Sequence, residues 1–388
     1  MSLSDQWRKH PEQIQEKLLR QIIAFAGDGR LREANQTSKE FRDFLRQVPS
    51  TMLARYGEEC LAESFPECGF ALQDIVNEVG RRLGLVVSNG RYRGTKGEIG
   101  NDGLWKLPDG RRIVVEVKTT DAYRINLDRI AAYAKGLSSP SGTNAPYSTL
   151  IIVGRSDTGD LEAQIRGSRH AWEVRLISLD SLLRLMRLKE ELEDPNTLAK
   201  IHEILVPHEF TKLDRIVDLV FTAAEEAKLV DKTEAEPAEE EASKEKKFTP
   251  VAFNDACADR ISKLLGKPLV KQSRAKFSSP DNKVVLVCLV SRQHKEGKPH
   301  HYWFAFHPHQ RDALSQAEEG FVALGCGSPD TIFLVPFDRF KEWLPGMNIT
   351  QLEDRMYWHI QVLESDTGFT LVRRKGQSKV DLAKFLLY

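Results

Sequence analysis

The order of apolar runs predicts a mixed α/β protein. Three observations carry this. Helical and strand-like patterns alternate over residues 65–190, they alternate again over 248–388, and a charged stretch, 225–247, separates the two. With 388 residues, 41% of them hydrophobic, the chain has room for two or three domains with real cores.

Residues 1–62 read as a helical region. Ile14, Leu18, Leu19, Ile22 and Ile23 recur at helical spacing. Thr37 and Glu40 have capping-box spacing ahead of Phe41, Phe44 and Leu45. Mixed charge and the lack of a motif favour packing over an interaction arm.

Residues 63–224 read as the central α/β domain. Helices are expected over 72–83, 127–137, 161–169, 182–192 and 213–227. Strands are expected near 85–88, in a run ending near Asp102, and at 113–118, 148–153 and 174–178. The stretch 225–247 is rich in Ala, Glu and Lys and has almost no apolar residue after Val230. It cannot offset its own ordering entropy and reads as a linker.

Residues 248–388 read as a second α/β domain. A helix is expected over 253–265, and strands over 284–290, 302–306, 331–335 and 359–363. No fixed-period repeat is visible.

Lys plus Arg and Asp plus Glu are equal at 56 each, so no global field draws the chain to nucleic acid. Any such binding needs a local patch. Five cysteines without C-x-x-C spacing suggest reduced thiols in a cytoplasmic protein. The start lacks an apolar signal core, and no apolar run approaches the roughly 18 residues of a membrane span.

One segment concentrates chemistry. The run 113–117 is apolar except for Glu116, and Lys118 follows two positions on. Side chains alternate along a strand, so Glu116 and Lys118 share a face. Burying charge there calls for mutual pairing or a metal. Upstream, Asp102 stands between Asn101 and Gly103, and Pro108, Asp109 and Gly110 supply a turn. A hairpin would bring Asp102 beside Glu116. Two carboxylates suit a hard cation, and a lysine beside them can orient water or face developing negative charge. The plainer alternative is a structural Glu116–Lys118 ion pair at the sheet end.

This arrangement resembles the PD-(D/E)xK nuclease superfamily, which includes many restriction endonucleases and Holliday-junction resolvases. Asp102 matches its first acid, and Glu116, Val117 and Lys118 match its acid-x-lysine tripeptide. Asn101 stands where the motif has proline. The resemblance covers residues 65–190 and includes a helix, three strands, a helix and a strand in that order.

The resemblance implies a restriction-endonuclease-like mixed sheet flanked by helices. Asp102, Glu116 and Lys118 would be catalytic, and Asp102 and Glu116 would hold Mg2+ or Mn2+. Many members add an acid on the preceding helix. Here the candidates are Glu78, the better ligand chemically, and Gln73, at the family's place counted back from Gly84.

The implied activity is DNA endonuclease of the restriction or phage-defence kind. The alternatives are a repair or recombination nuclease, or an inert nucleic-acid-binding or scaffold protein that keeps the fold. DNA is the implied partner, and a homodimer would suit double-strand cutting. The chain has no G-x-x-x-x-G-K-[ST] signature, so any translocation would need an ATPase, helicase or defence-system partner.

Gln164, Arg166, Arg169 and Arg124 are the expected nucleic-acid contacts. Trp172 is read as a core residue, and Arg184 and Arg187 as a solvated face.

In the second domain His301, His307 and His309 match no metal spacing. Strands around Lys276 and 284–292 echo the first core, with Asp281 and then Ser291 and Arg292 in place of its acids and lysine. That suggests a degenerate nuclease-like copy or a target-recognition domain. Tyr302, Trp303, Phe304, Tyr357 and Trp358, with Lys271, Arg274 and Lys276, read either as a recognition surface or as core plus solvated cations.

Overall fold

Helical spacing in the first 62 residues becomes five short helices. These are α1 (Leu3–Lys9), α2 (Pro11–Gln15), α3 (Leu19–Phe25), α4 (Gln36–Leu45) and α5 (Ser50–Ala62). The computed structural model describes residues 2–63, 65–93, 100–119, 125–136, 147–154, 158–191, 195–206, 250–293, 300–351, 356–366, 368–374 and 377–387. It divides into two units, Met1–Glu236 and Pro237–Tyr388. The expected helix over 213–227 and the linker 225–247 lie outside the described residues.

The cap of α4 differs from expectation. Asn35, not Thr37, caps it, accepting the Ser38 N–H at 3.0 Å. The Thr37 hydroxyl is buried and instead accepts the Asp28 N–H at 3.0 Å, holding the preceding turn.

Next come α6 (Cys68–Arg82), β1 (Val86–Asn89), β2 (Gly103–Lys106), β3 (Arg112–Lys118), α7 (Leu127–Gly136) and β4 (Tyr147–Val153). Then follow α8 (Gly159–Arg166), β5 (Val174–Ser178), α9 (Leu179–Glu191) and α10 (Pro195–Leu205). The sheet order is β1-β2-β3-β4-β5. The first two pairings are antiparallel and the last two parallel. The strand expected to end near Asp102 instead begins just after it. The β2–β3 turn is closed by Gly110 at φ 92°, a conformation that favours glycine, with its N–H on the Leu107 carbonyl.

Alternation along β3 and β4 splits the sheet into two faces. Ile113, Val115, Leu150 and Ile152 join one core with residues of α1 to α6, α9 and α10. Ile151 and Val153 join a second core with Ile125, Leu127, Ile130, Leu161 and Ile165. The helical region therefore shares its core with the sheet. Arg82, buried on α6, reinforces this by donating to the carbonyls of Leu45 and Val48 at 2.9 and 2.6 Å. Gly80 lets α6 approach the sheet: a Cβ there would come within 2.6 Å of the Trp105 ring.

The second unit runs α11 (Pro250–Leu265), β6 (Val270–Lys271), β7 (Lys276–Ser278), β8 (Val284–Ser291), β9 (His300–Phe306), α12 (Pro308–Ser315) and β10 (Glu319–Cys326). It continues with β11 (Ile332–Pro336), α13 (Phe337–Trp343), β12 (Asn348–Gln351), β13 (Met356–Ser365), β14 (Gly368–Val372) and β15 (Val380–Asp381). One sheet has the order β11-β10-β8-β7-β6, with β8 and β10 parallel; the other is β12-β13-β14-β15, with β9 on β13.

Strand β10 was not expected because glycine is unfavourable in strands. Packing selects it here, since Cβ atoms at Gly320 and Gly325 would come within 3.0 Å of Phe337 and Val290 side chains. Tyr302, Phe304 and Trp358 are core residues. Trp303 and Tyr357 are only partly buried and meet edge to face, with ring centroids 6.1 Å apart. Among the described residues, no helix is long and apolar enough to cross a membrane.

Candidate active site

The register of the β2–β3 ladder pairs Gly103 with Val115. Glu116, the next residue of β3, is on the opposite face to Val115, and its charge acts on the carboxyl of Asp102, the residue just before β2. Lys118 follows on that face and reaches Glu116 Oε1 at 2.5 Å. Glu116 pairs with Ile151 on β4, so this face is the one covered by Ile125, Leu161 and Ile165. The constellation sits at the carboxyl end of the parallel strands, where open α/β sheets bind ligands.

Asp102 is held from three sides. Its N–H donates to the Val115 carbonyl at 3.0 Å. Its Oδ2 accepts the Val117 N–H at 2.7 Å. Its carbonyl accepts the side-chain amides of Gln73 at 3.0 Å and Asn77 at 2.8 Å, and the Gly90 N–H at 3.1 Å. Burial, and then the charge of Glu116, push the Asp102 carboxyl up to about 7. The Val117 N–H and Lys118 pull it down but do not win.

Gln73 thus reaches the first acid through its main chain. Glu78 does not: α6 turns it to Arg82 at 3.2 Å and Arg81 at 3.5 Å. The carboxylate of Glu78, the expected leading helix ligand, balances buried arginine charge in this structure.

Asn77 was missed. Besides holding Asp102, its Oδ1 accepts the Trp105 indole N–H at 2.9 Å. The available signal was its place four residues after Gln73, on the same stripe of α6. Another missed group lies beside Gln73. Asp74, on α6, receives Arg42 at 2.8 Å and the Tyr92 hydroxyl, anchoring the chain just after β1.

The expected nucleic-acid contacts are not gathered at the acids. Gln164 clamps the main chain of Ile125, donating to its carbonyl at 2.6 Å and accepting its N–H at 3.0 Å. Its amide is thereby engaged in structure. Arg169 is exposed and bridges to Asp128 at 2.7 Å. Arg166 ends α8 and Arg169 follows it, on the return to the amino end of β5, whereas Glu116 and Lys118 lie at the carboxyl end of β3. Arg124 lies outside the described residues. Trp172, expected in the core, is 66% exposed in the turn before β5.

Among the described residues, no group of three His, Cys, Asp or Glu side chains is arranged to hold a metal ion. Magnesium needs fewer, since it keeps several waters and binds through one or two carboxylates plus substrate phosphate. The all-oxygen pair Asp102 and Glu116 fits such a hard cation. No protein-family model matches the chain, and no curated protein matches it.

Proposed function

We propose that this chain is a divalent-cation-dependent DNA endonuclease of the PD-(D/E)xK type, with a restriction-endonuclease-like first unit. The observation that carries this reading is the Asp102 carboxylate seated on the Val117 N–H, in the chain between Glu116 and Lys118, which pair with each other. Two carboxylates facing each other repel, and the raised Asp102 carboxyl reports that repulsion together with burial. A cation between them would offset both terms.

Asp102 and Glu116 would hold the cation, Mg2+ or Mn2+. When bound, it would polarise the scissile phosphate and acidify a water. Val117 fixes the Asp102 carboxylate through its N–H. Gln73 and Asn77 fix the Asp102 backbone, so the acid cannot recoil from Glu116. Lys118 would face the charge that develops on phosphate oxygens as the P–O bond to the leaving oxygen breaks.

An inert scaffold would retain the Glu116–Lys118 pair as a structural salt bridge. It gives no reason to keep a second, half-buried carboxylate beside that pair. Plasmid and phage DNA incubated with the full chain and Mg2+ or Mn2+ should be cut, and Asp102→Ala and Lys118→Ala should abolish cutting. Equal products from all three proteins would sink the nuclease reading.

A further inference from the structure

The second unit repeats the scaffold of the site without its acids. In both units a helix ends at a glycine of positive φ, Gly84 at 80° and Gly266 at 62°. Three strands then pair antiparallel in order, and the third pairs in parallel with a fourth. The parallel ladders end alike, Lys118 on Val153 and Ser291 on Cys326. Beyond each end a glycine N–H caps the third strand: Gly154 on the Lys118 carbonyl at 3.2 Å, Gly327 on the Ser291 carbonyl at 2.8 Å. Even the following residues correspond, Asp157 and Thr158 after Gly154, Asp330 and Thr331 after Gly327.

These ends align the two sites. Ser291 takes the place of Lys118, and Leu289 the place of Glu116. Extending the β7–β8 register, in which Lys276 pairs with Val287, sets Arg274 opposite Leu289, in the place of Asp102. A second contact marks the same position. Asn254 on α11 donates its amide to the Arg274 carbonyl at 3.4 Å, as Gln73 and Asn77 on α6 do for Asp102. The aspartate expected as the acid of this copy, Asp281, lies instead in the β7–β8 turn, accepting the Ser279 hydroxyl and the Lys283 N–H at the far end of the strands.

The chemistry of this end is therefore inverted. The three aligned positions, Arg274, Leu289 and Ser291, offer no carboxylate to a hard cation. It has Arg274 and, beside it, Lys276, which is half-buried at the start of β7. Burial pulls the Lys276 ammonium down, and among the described residues no carboxylate meets it. Lys271, by contrast, is paired with Asp255 at 2.9 Å. Asn254 is 3% exposed, and its Oδ1 has no hydrogen-bond partner among the described residues. A half-buried ammonium that no described carboxylate meets, two positions along the chain from Arg274, leaves cationic charge for an anion to balance.

We infer that the second unit is a non-cleaving phosphodiester-binding site, in which Arg274 and Lys276 take nucleic-acid backbone phosphates at the place where the first unit carries its acids. The choice of nucleic acid as the phosphodiester rests on the reading of the first unit; the cation pair does not.

The test is binding of a short fluorescein-labelled duplex, and of its single strand, to the full chain in EDTA, by anisotropy over a salt series. Arg274→Gln with Lys276→Gln should weaken binding about tenfold near physiological salt and lower the salt slope by about two, roughly one per lost phosphate contact. The exposed pair Arg184→Gln with Arg187→Gln removes the same charge and should leave both unchanged. Should the first double variant melt early, Arg274→Gln alone carries the test, with a slope change of about one. Unchanged affinity and slope in the Arg274 variants would overturn the inference. So would an equal loss in the control pair, or no binding of either DNA by the unaltered chain. Because EDTA removes cleavage, failure of the nuclease reading is read separately, from cutting by the unaltered chain and Asp102→Ala in Mg2+.

Discussion

Asn77 donates its side-chain amide to the carbonyl oxygen of Asp102 at 2.8 Å, tying the helix before the sheet to the acid that opens β2. The same side chain accepts the buried Trp105 indole N–H. One amide thus satisfies two groups and sets the distance between α6 and the hairpin.

Asn77→Ala would leave the Trp105 N–H without an acceptor and remove a donor from Asp102. At about 1–3 kcal/mol for a buried unsatisfied group, the variant should lose roughly 2 kcal/mol in urea unfolding. Cleavage should fall mainly in kcat, since the acid is displaced rather than removed. Unaltered stability would show that the amide is dispensable.

Asp102→Asn should stabilise the protein in EDTA at pH 8 while abolishing cleavage. Burial and the charge of Glu116 raise the carboxyl to about 7, so keeping it ionised in the fold costs stability that an uncharged amide does not. The amide removes that charge and retains an oxygen for the Val117 N–H. A higher melting temperature for the variant is the expected result, and a lower one contradicts it.

Asp74 makes a pH-dependent contribution of its own. Burial pushes its carboxyl from 3.8 up to about 6, despite Arg42 and the Tyr92 hydroxyl. A carboxyl raised in the fold binds its proton more tightly there than in the unfolded chain. The contribution is therefore complete below pH 3.8 and is lost as pH rises through about 6. Its size is roughly 3 kcal/mol. Unfolding free energies of the unaltered chain and Asp74→Asn, measured from pH 4 to 7, should differ in slope over that window. Parallel curves would show that Asp74 titrates alike in both states.

Glu78→Gln separates structure from catalysis on α6. Removing its charge leaves buried Arg82 without its counter-ion and should cost about 3 kcal/mol of stability. The Mg2+ concentration for half-maximal cutting should stay unchanged. Gln73→Ala should do the reverse, lowering cutting more than stability, because it frees the Asp102 carbonyl. A shifted Mg2+ requirement in Glu78→Gln would restore that residue as a ligand.

Much of the fold was legible in periodicity. The strand 113–118 and the helix over 127–137 are nearly those seen, because long apolar patterns with a single period leave little choice. Strand β10 was not legible, because its Gly320 and Gly325 answer to neighbours distant in sequence. Nor was the end of the hairpin at Asp102, which is set by α6 amides rather than by local propensity.

The sequence by itself determined the alternation of helix and strand and the sharing of one face by Glu116 and Lys118, since a period of two is a local property of the chain. Only tertiary structure decided which polar groups serve the acids. Glu78 and Gln73 stand five positions apart on one helix, and the packing of that helix sends one to Arg82 and the other to Asp102. It likewise engaged Gln164 with Ile125 and paired Lys276 with Val287. Hydrogen bonding and charge pairing act between residues far apart in sequence, so a partner is settled only when the packed layers bring it within reach.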